Sequence, residues 1–278
     1  MEVSAKKLAM GALAGVLMLS LAACGSGTTG STSGSGDTIK IGIKFDQPGL
    51  GLKQGDTYTG MDVDVAKYVA DKLGYSESQI EWTQAPSGQR ESLIENGQVT
   101  YIVGTYSITD KRKEKVSFAG PYFIAGQDLL VRADDTSITG VDALSGKKLC
   151  SVTGSTSAQN VKDKVPDVNL QEFGTYSECV AALAAGSIDA LTTDDTILAG
   201  YAAQEQYKGK LKVVGNTFST ENYGIGLKKG DTELCTKITT AITEMISDGS
   251  WQTFVTNNLG PAGFTPGAGN PPTPAACS

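Results

Sequence analysis

Residues 38–45, Thr38-Ile-Lys-Ile-Gly-Ile-Lys-Phe45, alternate between apolar and polar, as a strand with one buried face does. A loop rich in turn formers, 46–51, follows. Met61, Val65, Tyr68, Val69 and Leu73 then recur at helical spacing, and Gly74 suits the left-handed position past a helix end. Ile80-Glu-Trp-Thr83 reads as a short strand, 90–97 as a short helix closed by Gly97, and Tyr101-Ile-Val103 as a buried strand. The order β-α-β-α-β predicts a parallel α/β sheet, with ligands gathered at the carboxyl ends of its strands. The loops 46–51, 85–90 and 105–112 all lie at such ends.

The pattern restarts after Gln127-Asp-Leu-Leu-Val-Arg132, a strand that leads out of the first lobe. Strands are expected at 148–152, 168–173, 188–194 and 211–214, with helices over 158–165, 177–185 and around 197–201. Residues 222–227 form the strand that returns. From Asp231 to about Asp248, Leu234, Ile238, Ile242, Met245 and Ile246 share one face of an amphipathic helix, with Asp231 as N-cap. The expectation is α/β with two lobes, the second inserted into the first. Residues 38–130 and 225–278 make the first lobe, 131–224 the second, and the crossings fall near Leu130 and Gly224. Two such lobes can close on a small molecule.

The ends of the chain differ in character. Lys6 and Lys7 precede an apolar run, 8–22, too short and too alanine-rich for a stable membrane span. It ends in Leu21-Ala-Ala-Cys24, which resembles the lipobox of bacterial lipoproteins. That implies a signal peptide over 1–23, cleavage before Cys24 and a lipid on its sulfur. Residues 24–37, almost all Gly, Ser and Thr, read as a flexible tether reaching roughly 20 Å. The expected location is the outer face of the cell membrane, lipid-anchored. At the other end, 260–274 is rich in Gly and Pro and is expected to be irregular on the surface.

Composition narrows the function. The chain carries 23 basic and 30 acidic residues and no histidine. An acidic chain without basic clusters is a poor nucleic-acid binder. The absence of histidine removes the commonest general acid–base and argues against an enzyme. With Cys24 lipidated, four cysteines remain, which in an exported protein read as two disulfides with three possible connectivities. Cys150–Cys179 and Cys235–Cys277 are favoured, the first linking a strand to the next helix but one, the second pinning the Pro-rich tail. No two cysteines are close in sequence, so no metal site or cofactor is expected.

The densest chemistry lies in Thr100-Tyr-Ile-Val-Gly-Thr-Tyr-Ser-Ile-Thr-Asp-Lys-Arg-Lys113. A strand end, hydroxyls, a helix N-terminus capped by Thr109 or Asp110 and a guanidinium together suit an anionic group. With Gln89-Arg90, Val116-Ser-Phe-Ala-Gly-Pro-Tyr122, Gly154-Ser-Thr-Ser157, Gly186-Ser-Ile-Asp-Ala-Leu-Thr-Thr-Asp194 and Tyr223-Gly-Ile-Gly-Leu-Lys-Lys229, this stretch resembles the family 3 solute-binding proteins, polar amino-acid receptors of ABC importers. The likeness runs from 39 to 259 in one order. The lipobox, tether and paired cysteines look most like the glutamate-binding lipoproteins of actinobacteria. Thr100 departs from the family, which often has an aspartate there.

The resemblance implies a type II periplasmic-binding-protein-like fold and a set of roles. Arg112 binds the ligand α-carboxylate, helped by Ser107 and, from the other lobe, Thr156. Asp194, with neighbouring Asp195 as the alternative, accepts from the α-ammonium, joined by the Thr105 carbonyl and Ser107. Ser87 and Arg90 face the ligand side chain, where Arg90 pairs with a γ-carboxylate; Asp46 on the same rim either orients Arg90 or opposes an anion. The implied partners are L-glutamate, with glutamine or aspartate as alternatives, and a membrane permease, and the implied state is a monomer. Competing readings are an enzyme on the same fold, like cyclohexadienyl dehydratase, and a surface lipoprotein without a transport role.

Overall fold

In the computed structural model, which describes residues 38–278, the alternating run forms β1 (Ile39–Ile43), with Ile39, Ile41 and Ile43 buried. The signal segment, Cys24 and the tether lie outside the described residues. The stretch expected to be a loop instead begins a small antiparallel sheet of β2 (Asp46–Gln47), β3 (Gly51–Gln54) and β4 (Thr57–Thr59). Gly60 makes this fold-back possible: its φ is +120°, and a Cβ there would lie 2.1 Å from the Leu50 carbonyl oxygen. Helix α1 (Met61–Lys72) buries Met61, Val65 and Val69 as the spacing predicts, and Gly74 follows its last turn at φ +91°.

After β5 (Ile80–Gln84), α2 (Arg90–Glu95), β6 (Tyr101–Ile102) and α3 (Asp110–Lys113) comes β7 (Val116–Ala125), ten residues that the hydrophobic pattern does not announce. Gly120-Pro121 in its middle reads as a turn. The strand accommodates the pair at an irregularity, where its register with the returning strand slips between Tyr223 and Ile225. Strand β8 (Gln127–Arg132) follows at once. It pairs along its length with strands of the second sheet, so the outward crossing falls at Gly126 rather than near Leu130.

The second sheet takes β9 (Lys148–Val152), β10 (Asn169–Phe173), β11 (Ala190–Asp194) and β12 (Leu211–Val213), between which lie α4 (Thr156–Lys164), α5 (Tyr176–Ala184) and α6 (Asp195–Ala202). Strand β13 (Glu221–Lys228) returns to the first sheet and pairs with β7 from Glu221 onward, so the inward crossing lies before Glu221 rather than at Gly224. The two five-stranded sheets have matching orders, β5-β1-β6-β13-β7 and β10-β9-β11-β8-β12. In each, three parallel strands meet an antiparallel one that starts or ends at a crossing. This is a two-lobed α/β fold with the second lobe inserted.

Helix α7 (Thr232–Ser247) buries Ile238, Ile242 and Met245, and the Asp231 side chain accepts from the Leu234 amide as its N-cap. Helix α8 (Ser250–Asn258) carries only two buried side chains, Trp251 and Val255, too few for its apolar spacing to stand out. The tail beyond it is not merely laid on the surface. Ala275 donates its amide to the Gly120 carbonyl at 2.8 Å, and Ser278 and Phe118 exchange two backbone hydrogen bonds at 2.8 and 3.2 Å. Asn270 imitates a strand residue, its amide group bonding both the N–H and the C=O of Ile124. Cys235–Cys277 ties the tail to α7, and Cys150–Cys179 ties β9 to α5.

Candidate ligand-binding site

The carboxyl ends of the parallel strands in the two lobes face each other, and their loops meet. Between them lies a small cavity of about 10 Å³ lined by Ser87, Arg90, Thr105 and Arg112 from one lobe and by Ser155, Thr156, Ser157, Tyr176, Asp194 and Ile197 from the other. That is room for about one water, so the lobes are drawn tightly together here and an incoming ligand must part them. Of the seven ligand-site residues singled out from sequence, six line it. Ser107 sits at its edge, where its hydroxyl lies 3.3 Å from that of Thr156 across the cleft.

Arg112 reaches the cavity because α3 is a single turn started by Thr109, whose hydroxyl accepts from the Arg112 amide at 3.2 Å. Its guanidinium donates from Nη1 to the Ser107 carbonyl (2.8 Å) and from Nη2 to the Gly154 carbonyl of the opposite lobe (3.2 Å), and its Nε lies 3.4 Å from Glu91 Oε1. A guanidinium has five N–H donors. One on each terminal nitrogen is left, enough for the two oxygens of a carboxylate. Burial, then the neighbouring Arg90, lowers the Arg112 pKa from its usual value.

Arg90 is almost wholly buried, donating from Nη2 to the Gly104 carbonyl (2.5 Å) and from Nη1 to that of Thr105 (3.5 Å), while its buried Nε has no partner among the described residues. Both arginines stack on Tyr106, each 4.9 Å from its ring centre. Against these cations stands Asp194, 3% exposed at the end of β11. Its Oδ2 accepts from the Tyr223 hydroxyl at 2.6 Å and its Oδ1 from Ser157 at 3.5 Å. Burial, reinforced by Glu221, raises its pKa well above the carboxylate range. Asp195 does not share this place: it lines a separate hollow with Asp128 and Phe264, and its Oδ1 accepts from the amides of Thr196 and the crossing residue Gly126.

Asp46 neither orients Arg90 nor lines the cavity. Its Oδ2 accepts from the Tyr176 and Ser177 amides at 3.0 and 3.4 Å, so a first-lobe carboxylate docks on the N-terminus of second-lobe α5, and its carbonyl accepts from Tyr201. Lys44, whose pKa burial lowers to about 8, lies 3.8 Å from Asp46 Oδ1. Glycines let the lobes approach: a Cβ on Gly154 would be 2.6 Å from the Cα of Gly88, and one on Gly200 would be 2.1 Å from the Pro48 carbonyl oxygen. The lobes are closed on the cavity. Ser155 and Ser157 fall in a small-residue turn visible in the sequence, but nothing in the pattern marks Tyr176 or Ile197.

The buried acids have a pH consequence. The pKa of Asp195 is raised to about 6 by burial, as is that of Asp62. With an unfolded value of about 3.9, the folded protein holds more protons between about pH 4 and 6, and stability falls as pH rises through that window. Asp195→Asn keeps the acceptor but not the titration. In denaturant unfolding, the wild type should therefore lose up to about 1.4 kcal/mol per pH unit more than the variant between pH 4 and 6. Parallel profiles would remove Asp195 from the account.

Residues 39–261 match the model of the bacterial extracellular solute-binding proteins, family 3. The chain belongs to this family. It is 48% identical over 269 residues to the glutamate-binding protein GluB of Corynebacterium efficiens, covering 91% of either chain. With the glutamine-binding protein of Geobacillus stearothermophilus it shares 40% identity over 201 residues, covering 72% of this chain and 76% of that one. Among solved structures, an ancestral arginine-binding protein bound to glutamine superimposes with a TM-score of 0.75 at 34% identity, covering 80% of this chain and 98% of that one. Family members thus share this two-lobed frame while their names specify different amino acids. Among the described residues no helix is long and apolar enough to cross a membrane.

Proposed function

We propose that this protein captures an α-amino acid, L-glutamate in the first place, outside the membrane and delivers it to the permease of an ABC importer. The observation that carries the reading is the pairing of Arg112 and Asp194 on opposite walls of one closed cavity. A zwitterion needs one fork for its carboxylate and one carboxylate for its ammonium, and the walls meet only when the lobes close. The ligand thereby shifts an open–closed equilibrium by its preference for the closed form. Ser107 and Thr156 assist at the carboxylate, and the Thr105 carbonyl at the ammonium.

Arg90, with a buried N–H to spare and Ser87 beside it, supports a side-chain carboxylate over an amide. The name of the Corynebacterium efficiens relative points the same way. The Leu21-Ala-Ala-Cys24 motif supports export and a lipid on Cys24, holding the protein at the outer face of the membrane through its tether. A binding role, not catalysis, is favoured because the cavity holds one buried carboxylate and two guanidinium groups already committed to backbone carbonyls. Calorimetric titration of the ligand-stripped protein against the proteinogenic amino acids tests the reading. L-glutamate should bind most tightly, with L-glutamine and L-aspartate weaker; tight arginine binding with none of glutamate would refute it.

A further inference from the structure

Asp62, in the first turn of α1, is fully buried and does not touch the cavity. Its Oδ1 accepts from the Tyr122 hydroxyl at 2.6 Å and its Oδ2 from the Thr105 amide at 3.0 Å. The same peptide unit, Gly104–Thr105, turns its carbonyl to Arg90 Nη2 at 2.5 Å. A single amide therefore lies between a buried carboxylate and a buried guanidinium, its N–H toward the anion and its C=O toward the cation. In a medium of low polarity such a chain of bonds strengthens each member.

The backbone there is under constraint. Thr105 has φ +46°, and no other non-glycine among the described residues has a positive φ. A β-branched side chain rarely adopts that region, so something must hold it. The Thr105 hydroxyl bonds the Gly104 carbonyl and Gln47, but the Thr105 amide is held by Asp62. Were that peptide to turn over, the Gly104 carbonyl would leave Arg90, and Thr105 would leave the cavity wall.

We infer that Asp62 is a positioning residue of the ligand site, its carboxylate holding the Gly104–Thr105 peptide in the orientation that fixes Arg90 and presents Thr105 to the cavity. The consequence for binding rests on the amino-acid reading above; the consequence for the backbone does not. The aspartate of α1 thus acts on ligand selection through one peptide bond, without contact.

Two cycles of variants test this on the purified protein, with L-glutamate as the probe. Asp62→Ala should weaken binding about 30-fold, the loss expected when a buried charged hydrogen-bond partner is removed. Asp62→Asn should stay within about fivefold, since its amide oxygen accepts from Thr105 and its NH₂ donates to the Tyr122 oxygen. In an Arg90→Gln background, Asp62→Ala should weaken binding by no more than about threefold, because coupled residues are not additive. Independent losses in that cycle, or wild-type affinity in Asp62→Ala, would overturn the inference. The ligand-free cycle pairs Asp62→Ala with Thr105→Gly. The alanine should lower the melting temperature by about 6 °C alone and by about half that beside glycine, which takes a positive φ without strain. An equal drop in both backgrounds would overturn the backbone part. If the wild type ignores L-glutamate, the functional reading fails, and the melting cycle still decides this one.

Discussion

Arg112→Ala should weaken L-glutamate binding by about two to three orders of magnitude while leaving the fold intact, as read by titration and circular dichroism. The size follows from the place: truncating one member of a buried, hydrogen-bonded charge pair costs about 2–5 kcal/mol. Arg112 is buried, and it also joins the lobes through the Gly154 carbonyl, so its loss removes both a carboxylate fork and a closing contact. Arg112→Lys should recover only part of the loss, since an ammonium cannot make the two parallel bonds. Full affinity in the alanine variant would remove the carboxylate assignment.

Asp194→Asn should be nearly as damaging, and it makes a second outcome readable. In the closed, ligand-free cleft burial, then Glu221, raises the pKa of the Asp194 carboxyl above its ordinary value. An arriving ammonium reverses that preference, because an opposite charge within reach favours the ionised form. At a pH below that raised pKa, L-glutamate binding should therefore release up to about one proton, and the apparent enthalpy should change with the ionisation heat of the buffer. Titrations in phosphate and in Tris measure this directly. The asparagine variant should bind about a hundredfold more weakly, by the same buried-pair reasoning, and show no buffer dependence. A wild-type enthalpy identical in both buffers would mean that Asp194 is already ionised before the ligand arrives.

Much of this site is legible in the sequence because strand ends, small hydroxyl residues and charges fall together in the order of a known family. Arg112, inside the run Asp110-Lys-Arg-Lys113, and Asp194, beside Asp195, are marked by that order rather than by isolation, and the inserted-lobe order follows from the restart of the α/β pattern after residue 132. Other features hide for identifiable causes. Strand β7 is masked by Gly120-Pro121, which ends most strands but here sits at a slip in register. The crossing at Gly126 lies between two strands with no break in hydrophobicity, so the pattern alone points a few residues beyond it. Asp46 serves the N-terminus of α5, 130 residues away, and no local pattern can pair an acid with a helix so distant. Asp62 reads as one more acid in a helix's first turn, and its link to Thr105 needs the fold-back at Gly60 to become visible.

Strand β7 is the last member of the first sheet, and ten residues of open edge would template pairing with another chain. The tail occupies that edge with Ala275, Ser278 and the side chain of Asn270, and the Cys235–Cys277 bond keeps it there. The Gly- and Pro-rich segment therefore covers, with its own backbone and one side-chain amide, an edge that would otherwise be open to another chain.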